Sequence, residues 1–384
     1  MKFLHLSDLH IGKSVIRFSM LDEQKHIFAR IIRYIQTERP GAVVIAGDVY
    51  DRAVPSVEAV RLFDDFLTDL AGENIAVLLI SGNHDSPERL SYASRLLSEK
   101  RLFLRGSFNG TLRPVKLSDE FGEVNFWLLP FVKPSAVRGA FASSGIKSEI
   151  EIESYEDALS SILAGADIDF SARNVLVSHQ FFLSKSFIPM RSDSELGLDA
   201  IDADLISRFD YAALGHLHGA QAVGAEHIRY AGSPLKYSFS ECLQEKSVTL
   251  VTLKEKGDLT VTALPLKPMR DLRIIKSSLA MLAGGAALAE DGREDYMRVV
   301  LTDREEEVVD PWSKVRAVYP NFISLGFENS PPDTFSAVSP DAERIARLSP
   351  YDLFHEFFLD VSGTVMSEEQ AKIARELLET EDGA

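Results

Sequence analysis

The stretch Lys2-Phe-Leu-His-Leu-Ser-Asp8-Leu-His10-Ile-Gly12 governs the reading of the whole chain. Its apolar run predicts a buried strand. The strand ends in a carboxylate and an imidazole two residues apart. In an extended chain, side chains at i and i+2 point to one side. Asp8 and His10 are therefore expected together where the strand leaves the core. The pattern recurs. Ala42-Val-Val-Ile-Ala-Gly47-Asp48 is a second apolar strand ending in an aspartate. Ile75 to Ile80 is a third, running into Ser81-Gly-Asn83-His84-Asp85. Val175-Leu-Val-Ser178 leads to His179, and Ala212-Ala-Leu-Gly215 leads to His216 and His218. Helices are expected between the first strands. One runs from Asp22 to Thr37, with Ile27, Ile31, Ile32 and Ile35 at helical spacing and Pro40 beyond it. The other runs from Ser56 to Leu70, with Val60, Phe63 and Leu67 on one stripe and Gly72 after it. Such alternation means a largely parallel sheet with helical crossovers. Sites in these sheets gather at the carboxyl ends of strands.

Composition bounds the function. A chain of 384 residues predicts one large domain with an appendage, or two domains. No apolar run approaches the ~20 residues of a membrane span, and the first residues lack a signal-peptide layout. The single cysteine, Cys242, excludes a disulfide framework and a cysteine-based zinc site. A cytoplasmic protein without membrane contact is the expectation. The 41 basic and 58 acidic residues leave a net charge of −17. An acidic surface repels phosphate at long range. A nucleic-acid substrate would need metals, a local basic surface or a partner to hold it.

Elsewhere the signals thin out. Phe126 to Phe131 reads as another apolar segment, Gly139 to Ala166 as loops around one helix, and Ile228 to Pro234 as a strand ending in a turn. Val248 to Leu253 and Leu259 to Leu264 read as a closing antiparallel hairpin. The character changes around Pro265 to Arg270. A small second domain follows, with a Gly/Ala-rich stretch at Ala283 to Ala289 and a strand at Tyr296 to Leu301. Ser330 to Pro340 reads as a linker. Leu353, Phe354, Phe357, Phe358 and Val361 then share one helix face, which Gly363 ends. Ser367-Glu-Glu-Gln370 is a capping box opening a last helix, with Ile373 and Leu377 inward.

The strand ends supply Asp8, His10, Asp48, Asn83, His179, His216 and His218, with His84 as one further histidine. Taken singly, Gly47-Asp48 and the Gly82 to Asp85 run are also turn chemistry, and a lone His179 reads as a core histidine. Their recurrence at five strand ends is what points to metal. A four-coordinate ion does not need seven ligands; two ions sharing a bridging carboxylate do, and Asp48, alone on its strand, is the natural bridge. Imidazole, carboxylate and amide donors without thiolate suit manganese, iron or zinc.

The ordered set D-x-H, G-D-x-x-D-R, G-N-H-D, a lone strand-end histidine and G-H-x-H resembles the calcineurin-like metallophosphoesterases over residues 1 to 265. Within them, Phe3 to His10, Gly47-Asp-Val-Tyr-Asp51-Arg52, Ile80 to Arg89, Ser178-His-Gln180 and Tyr230-Ala-Gly-Ser-Pro234 resemble the SbcD group of DNA-repair nucleases. The resemblance implies an α/β fold. Two mixed sheets flanked by helices form a four-layer sandwich over residues 1–265. A small α+β capping, DNA-positioning domain would span 266–335, and a helical tail at 345–384 would clasp an SbcC-type coiled-coil ATPase. It also implies two Mn2+ ions, a homodimer, and hydrolysis of DNA as a double-strand exonuclease and single-strand or hairpin endonuclease. Carried over by position, Asp8, His10, Asp48 and His218 would hold one ion, and Asp48, Asn83, His179 and His216 the other. His84 would protonate the leaving oxygen, Asp51 would orient it, and Arg52 would touch phosphate. Lys13, Arg17, Arg89, Arg191 and Ser233 are candidate substrate contacts. The alternative is a small-molecule or nucleotide phosphodiesterase of the same superfamily.

Overall fold

A computed structural model describes residues 1–148, 150–184, 200–283 and 292–328, together with scattered residues between 351 and 374. The chain divides into two compact units. One comprises Met1–Arg273 with Glu294–Tyr296, and the other Ile274–Arg293 with Met297–Ala384.

The first unit is built on two six-stranded sheets. Sheet one takes β1 (Lys2–Leu6), β2 (Ala42–Ala46), β3 (Ala76–Ile80) and β4 (Leu102–Arg105). Sheet two takes β5 (Pro114–Asp119), β6 (Gly122–Leu129), β7 (Arg173–Ser178), β8 (Tyr211–Leu214), β9 (Gln221–Val223) and β10 (Ala225–Tyr230). The chain then returns to sheet one with the hairpin β11 (Ser247–Leu253) and β12 (Leu259–Pro265). The orders are β12-β11-β1-β2-β3-β4 and β9-β10-β8-β7-β6-β5. β1 to β4 are mutually parallel, as are β6, β7, β8 and β10, whereas the outer hairpins are antiparallel. Both sheets are therefore mixed, as expected.

One face of each sheet meets the other. Phe3, Val44, Leu78 and Ile80 of sheet one share a core with Phe126, Val175, Val177 and Tyr211 of sheet two. Phe3 is fully buried and meets Phe126 and Tyr211 edge-on at centroid distances of 5.4 and 5.8 Å. The outer faces carry helices. On sheet one, α1 (Leu21–Glu38) and α2 (Val57–Gly72) pack through stacked rings of Phe28 and Phe66, 4.3 Å apart. The short helices α3 (Pro87–Leu90) and α4 (Ser94–Ser98) follow β3. On sheet two lie α5 (Pro134–Ser144) and α6 (Tyr155–Ala164), whose Val137, Phe141, Leu159 and Ile162 join Leu176, Leu214 and Tyr230.

Three details differ from the sequence reading. The inward stripe of α2 is Ala59, Phe63, Phe66 and Leu70, while Val60 is 45% exposed. The helix starts one residue later than expected, with Ser56 as cap accepting from Ala59 N; the inward face is the one that stacks Phe66 on Phe28 of α1. Gly139 to Ala166 holds parts of two helices rather than one. α5 runs on to Gly145, a left-handed cap, and α6 opens on a capping box between Ser154 and Asp157. β4 and β5 went unread because their apolar runs are short and lie among charged residues.

In the second unit, α7 (Leu279–Ala283) and α8 (Pro311–Val318) contribute to a core with β14 (Tyr296–Leu301) and β15 (Phe322–Phe327); these strands are parallel and share a sheet with β13 (Leu272–Ser277). Leu282, Met297, Val299, Val315 and Phe322 are its buried centre. The Ala283 to Ala289 stretch, apart from its first residue, and the linker from Ser330 lie outside the described residues, as do Leu353, Phe357, Val361 and Leu377. The capping box at Ser367 is formed: Gln370 N donates to Ser367 Oγ, and Gln370 Oε1 accepts from Ser367 N. Ile373 is not inward; it is 56% exposed, and Ala374 takes the buried position.

Candidate metal centre

The ligand-bearing residues follow the carboxyl ends of β1, β2, β3, β7 and β8. They do not continue the strands. Asp8, His10, Asp48 and His216 have φ of 51°, 42°, 50° and 107°. The same-side rule for extended chains is therefore not what pairs Asp8 with His10. Left-handed backbone at a non-glycine residue costs about 1–2 kcal/mol, and the surrounding bonds must hold it. They do so across strands: Asp8 N donates to Gly47 O, His10 N to Asp48 O and Ile11 N to Val49 O, each at 2.9–3.0 Å.

Asp8, His10, Asp48 and His179 are buried, with at most 2% of their surface exposed. Donor atoms fall within 4.8 Å of one another in three groups: Asp8, His10 and His218; Asp8, Asp48 and His179; and His10, Asp48 and His84. Asp48 Oδ2 lies 3.6 Å from His10 Nε2 and 3.3 Å from His179 Nε2, so this carboxylate spans both halves of the cluster. Asn83 Oδ1 lies 3.1 Å from His179 Nε2 and 3.2 Å from His216 Nδ1.

This arrangement fits metal. His179 Nδ1 lies 2.7 Å from Ala46 O, which can only accept, so Nδ1 carries a proton. In the neutral ring, Nε2 is then a lone pair aimed at two more acceptors, Asn83 Oδ1 and Asp48 Oδ2. His218 Nδ1 is likewise committed to Glu241 Oε1 at 2.9 Å, and its Nε2 faces His10 Nε2 at 3.1 Å. His10 Nδ1 is buried without a hydrogen bond, its nearest carboxylate oxygen being Asp51 Oδ1 at 3.6 Å. Acceptors converging on acceptors need a cation between them. Burial lowers the pKa of His179, but the Asp48 carboxylate overrides it and raises the ring to about 9, the mark of a strong negative field at Nε2. Burial also raises Asp48, yet the charge of His179 brings it well below the carboxylate range. His216, desolvated and beside His179, is lowered to about 3, which keeps it a neutral ligand. The residues present thus suit two divalent ions.

A layer of side chains not singled out from sequence positions the ligands. Glu241 bridges His218 and Lys246, with Oε2 2.6 Å from Lys246 Nζ. Lys246 Nζ also donates to His218 O and Ser233 Oγ, at 2.9 and 2.8 Å. Asp85 accepts from Val49 N, Tyr50 N and Gly82 N at 2.9–3.1 Å, clasping the Asp48 loop to the Asn83 loop. Burial and the Asp48 charge push its carboxyl up to about 6. Gln24 Nε2 holds His10 O at 2.7 Å, and Tyr237 donates to Leu9 O. Gly82 and Gly215 allow close approach, because a Cβ there would meet Asp48 Oδ1 at 2.1 Å and Ala46 O at 2.0 Å respectively.

The remaining predicted residues scatter. His84 is exposed, with Nδ1 3.0 Å from the Asp51 backbone carbonyl; its partner is that carbonyl, not the carboxylate expected to orient it. The Asp51 carboxylate instead meets Lys13 Nζ at 2.7 Å, so Lys13 is already engaged. Arg52 is 84% exposed. Arg17 lies against Phe18 and Arg89 is exposed on α3. Ser233 is 1% exposed with its hydroxyl bonded to Leu235 O and Lys246, so no substrate reaches it. Arg191 lies outside the described residues.

Fold and centre together define a metal-dependent phosphoesterase, and residues 1–220 match the calcineurin-like phosphoesterase family. Residues 268–362 match the family described as type 5 capsule protein repressor C-terminal domain. Over 389 residues the chain is 31% identical to the SbcD subunit of nuclease SbcCD from Staphylococcus epidermidis, covering 98% of each protein. The protein of the same name from Staphylococcus saprophyticus subsp. saprophyticus is 30% identical over 380 residues, 97% of this chain and 96% of that one. The chain belongs to the SbcD family of nuclease subunits. No helix among the described residues is long and apolar enough to cross a membrane.

Proposed function

We propose that this protein is the nuclease subunit of an SbcCD-type complex, hydrolysing DNA phosphodiesters at a two-manganese centre during repair and recombination in the cytoplasm. The carrying observation is the convergence of Asp8, His10, Asp48, Asn83, His179, His216 and His218 on one cluster, in a chain aligned end to end with SbcD nucleases. Asp8, His10, Asp48 and His218 would hold one ion, and Asp48, Asn83, His179 and His216 the other. The ions supply Lewis-acid stabilisation of charge building on the phosphoryl oxygens.

The chain's own residues do the rest. Asp48, fixed by His84 N at 2.9 Å, keeps both halves of the cluster in register. His84 Nδ1 donates to the Asp51 carbonyl, which leaves Nε2 to give a proton to the departing oxygen. Arg52, exposed beside the site, contacts phosphate. Lys13 steadies Asp51 rather than the substrate. Direct displacement at phosphorus requires no covalent enzyme intermediate.

Partners follow from surfaces. Val57 and Val60 on α2, and Tyr92 and Leu96 around α4, are 45–82% exposed, apolar, and suited to a second copy of this chain. The segment 345–384 would grip the coiled-coil base of an SbcC-type ATPase; Phe354, 39% exposed, is one contact. The test is cleavage of hairpin and blunt duplex DNA with manganese, with and without the ATPase, against bis-p-nitrophenyl phosphate. Hydrolysis of the small diester alone would defeat the nuclease reading. His84→Gln is expected to keep both ions, measured by metal analysis, yet lose about 10²–10⁴-fold in turnover.

A further inference from the structure

Beside the metal centre lies a cleft of about 570 Å³ lined by Arg95, Arg105, Arg113, Ser94, Ser107 and Asn109 among others. All three guanidinium groups are on exposed residues, and none pairs with a carboxylate among the described residues. In a chain of net charge −17, three uncompensated arginines around one concavity are a local reversal of sign. Leu104 and Leu112 give the cleft an apolar wall, and Phe108 adds a ring.

Its position follows from topology. Arg105 ends β4, the neighbour of β3 in sheet one, and Leu128 and Pro130 lie at the end of β6 in sheet two. β4 and β6 run parallel to β3 and β7, so these ends lie on the same edge of the sheets as the ends that carry the candidate metal ligands. Neighbouring strands lie about 4.8 Å apart, so the cleft opens one strand from the loop bearing Asn83 and His84. The join is direct: Ser81 N donates to Arg105 O, and Ser81 Oγ to Gly106 O at 2.6 Å. Gly106 N in turn donates to Ser91 Oγ at 3.0 Å, which ties the floor to the turn after α3.

We propose that this cleft binds the phosphate backbone of one unpaired nucleic-acid strand next to the scissile phosphodiester. The inference rests on the nuclease reading above. Size selects a single strand, because 570 Å³ suits one or two nucleotides and excludes a duplex. Guanidinium forks suit phosphate oxygens, the hydroxyl and amide groups add donors, and the apolar wall takes sugar or base without choosing sequence.

The test is fluorescence anisotropy of a labelled, cleavage-resistant phosphorothioate oligothymidine, using the full chain with manganese. The triple variant Arg95→Gln, Arg105→Gln, Arg113→Gln is expected to bind about 30-fold more weakly. Its dependence of log Kd on log salt should flatten by about 2, near 0.7 for each phosphate released from contact. The corresponding triple lysine variant should bind within about 5-fold of the parent, since it keeps the charge. Unchanged affinity and salt slope in the glutamine variant would overturn the proposal. So would an equal loss on a blunt duplex of the same length, or displacement of the strand by inorganic phosphate below millimolar levels. Wild-type protein that binds the strand through these arginines yet never cleaves unmodified DNA would sink the nuclease reading and leave the cleft standing.

Discussion

The metal centre and the arginine cleft share one rim of the sandwich but are built on opposite terms. At the centre, Asp8, His10, Asp48 and His179 are buried, and second side chains or backbone groups fix the ligands. Around the cleft the cations are exposed and, among the described residues, pair with no carboxylate. Bond-making at phosphorus needs donors held to a fraction of an ångström. Gripping a repeating, sequence-independent backbone needs only charge of the right sign in roughly the right place. Rigidity is concentrated where the reaction demands it, at the cost of strained backbone at Asp8, His10, Asp48 and His216.

That contrast can be broken experimentally. Asp48→Ala removes the carboxylate that spans both halves of the cluster. Hydrolysis should fall by about 10³-fold or more, and metal analysis should find fewer ions per chain; full activity would dismiss Asp48 as the link. Glu241→Gln keeps the shape but takes away the charge anchoring His218 and pairing Lys246. Metal affinity, read by titration with a competing chelator, should weaken about 10–100-fold. An unaltered affinity would mean that Glu241 serves folding alone. Asp85→Ala strands the N–H groups of Val49, Tyr50 and Gly82. A loss of about 1–3 kcal/mol in denaturant unfolding is expected for the buried donors left unpaired, with the Asn83 loop the first region to gain hydrogen exchange. The smallest effect belongs to the exposed rim: Arg89→Ala should change stability by no more than about 0.5 kcal/mol.

Much of this was legible in the linear order of residues. Apolar runs of five, such as Ala42–Ala46 and Ala76–Ile80, are long enough to declare buried parallel strands, and the polar residues just beyond them mark the rim. Asp8, His10, Asp48, Asn83, His179, His216 and His218 could all be named from that rule, because strand ends in such sheets converge. What stayed hidden depended on neighbours distant in sequence. Glu241 and Lys246 look like ordinary surface charges until the chain after β10 folds under His218. Ser233, read from sequence as a candidate substrate contact, is covered by Lys246 in the fold. The arginine cleft joins residues 95, 105 and 113 from a helix, a strand end and a loop with no shared motif.

The amino-acid order by itself determined the alternation of strands and helices and the identity of the candidate metal-binding side chains, since both are set by local polarity and spacing. Only the tertiary structure decided the backbone angles that aim those ligands, the groups that brace them and the sign of the field beside them. Those depend on which surfaces meet once two sheets close face to face, and periodicity along the chain carries no record of that meeting.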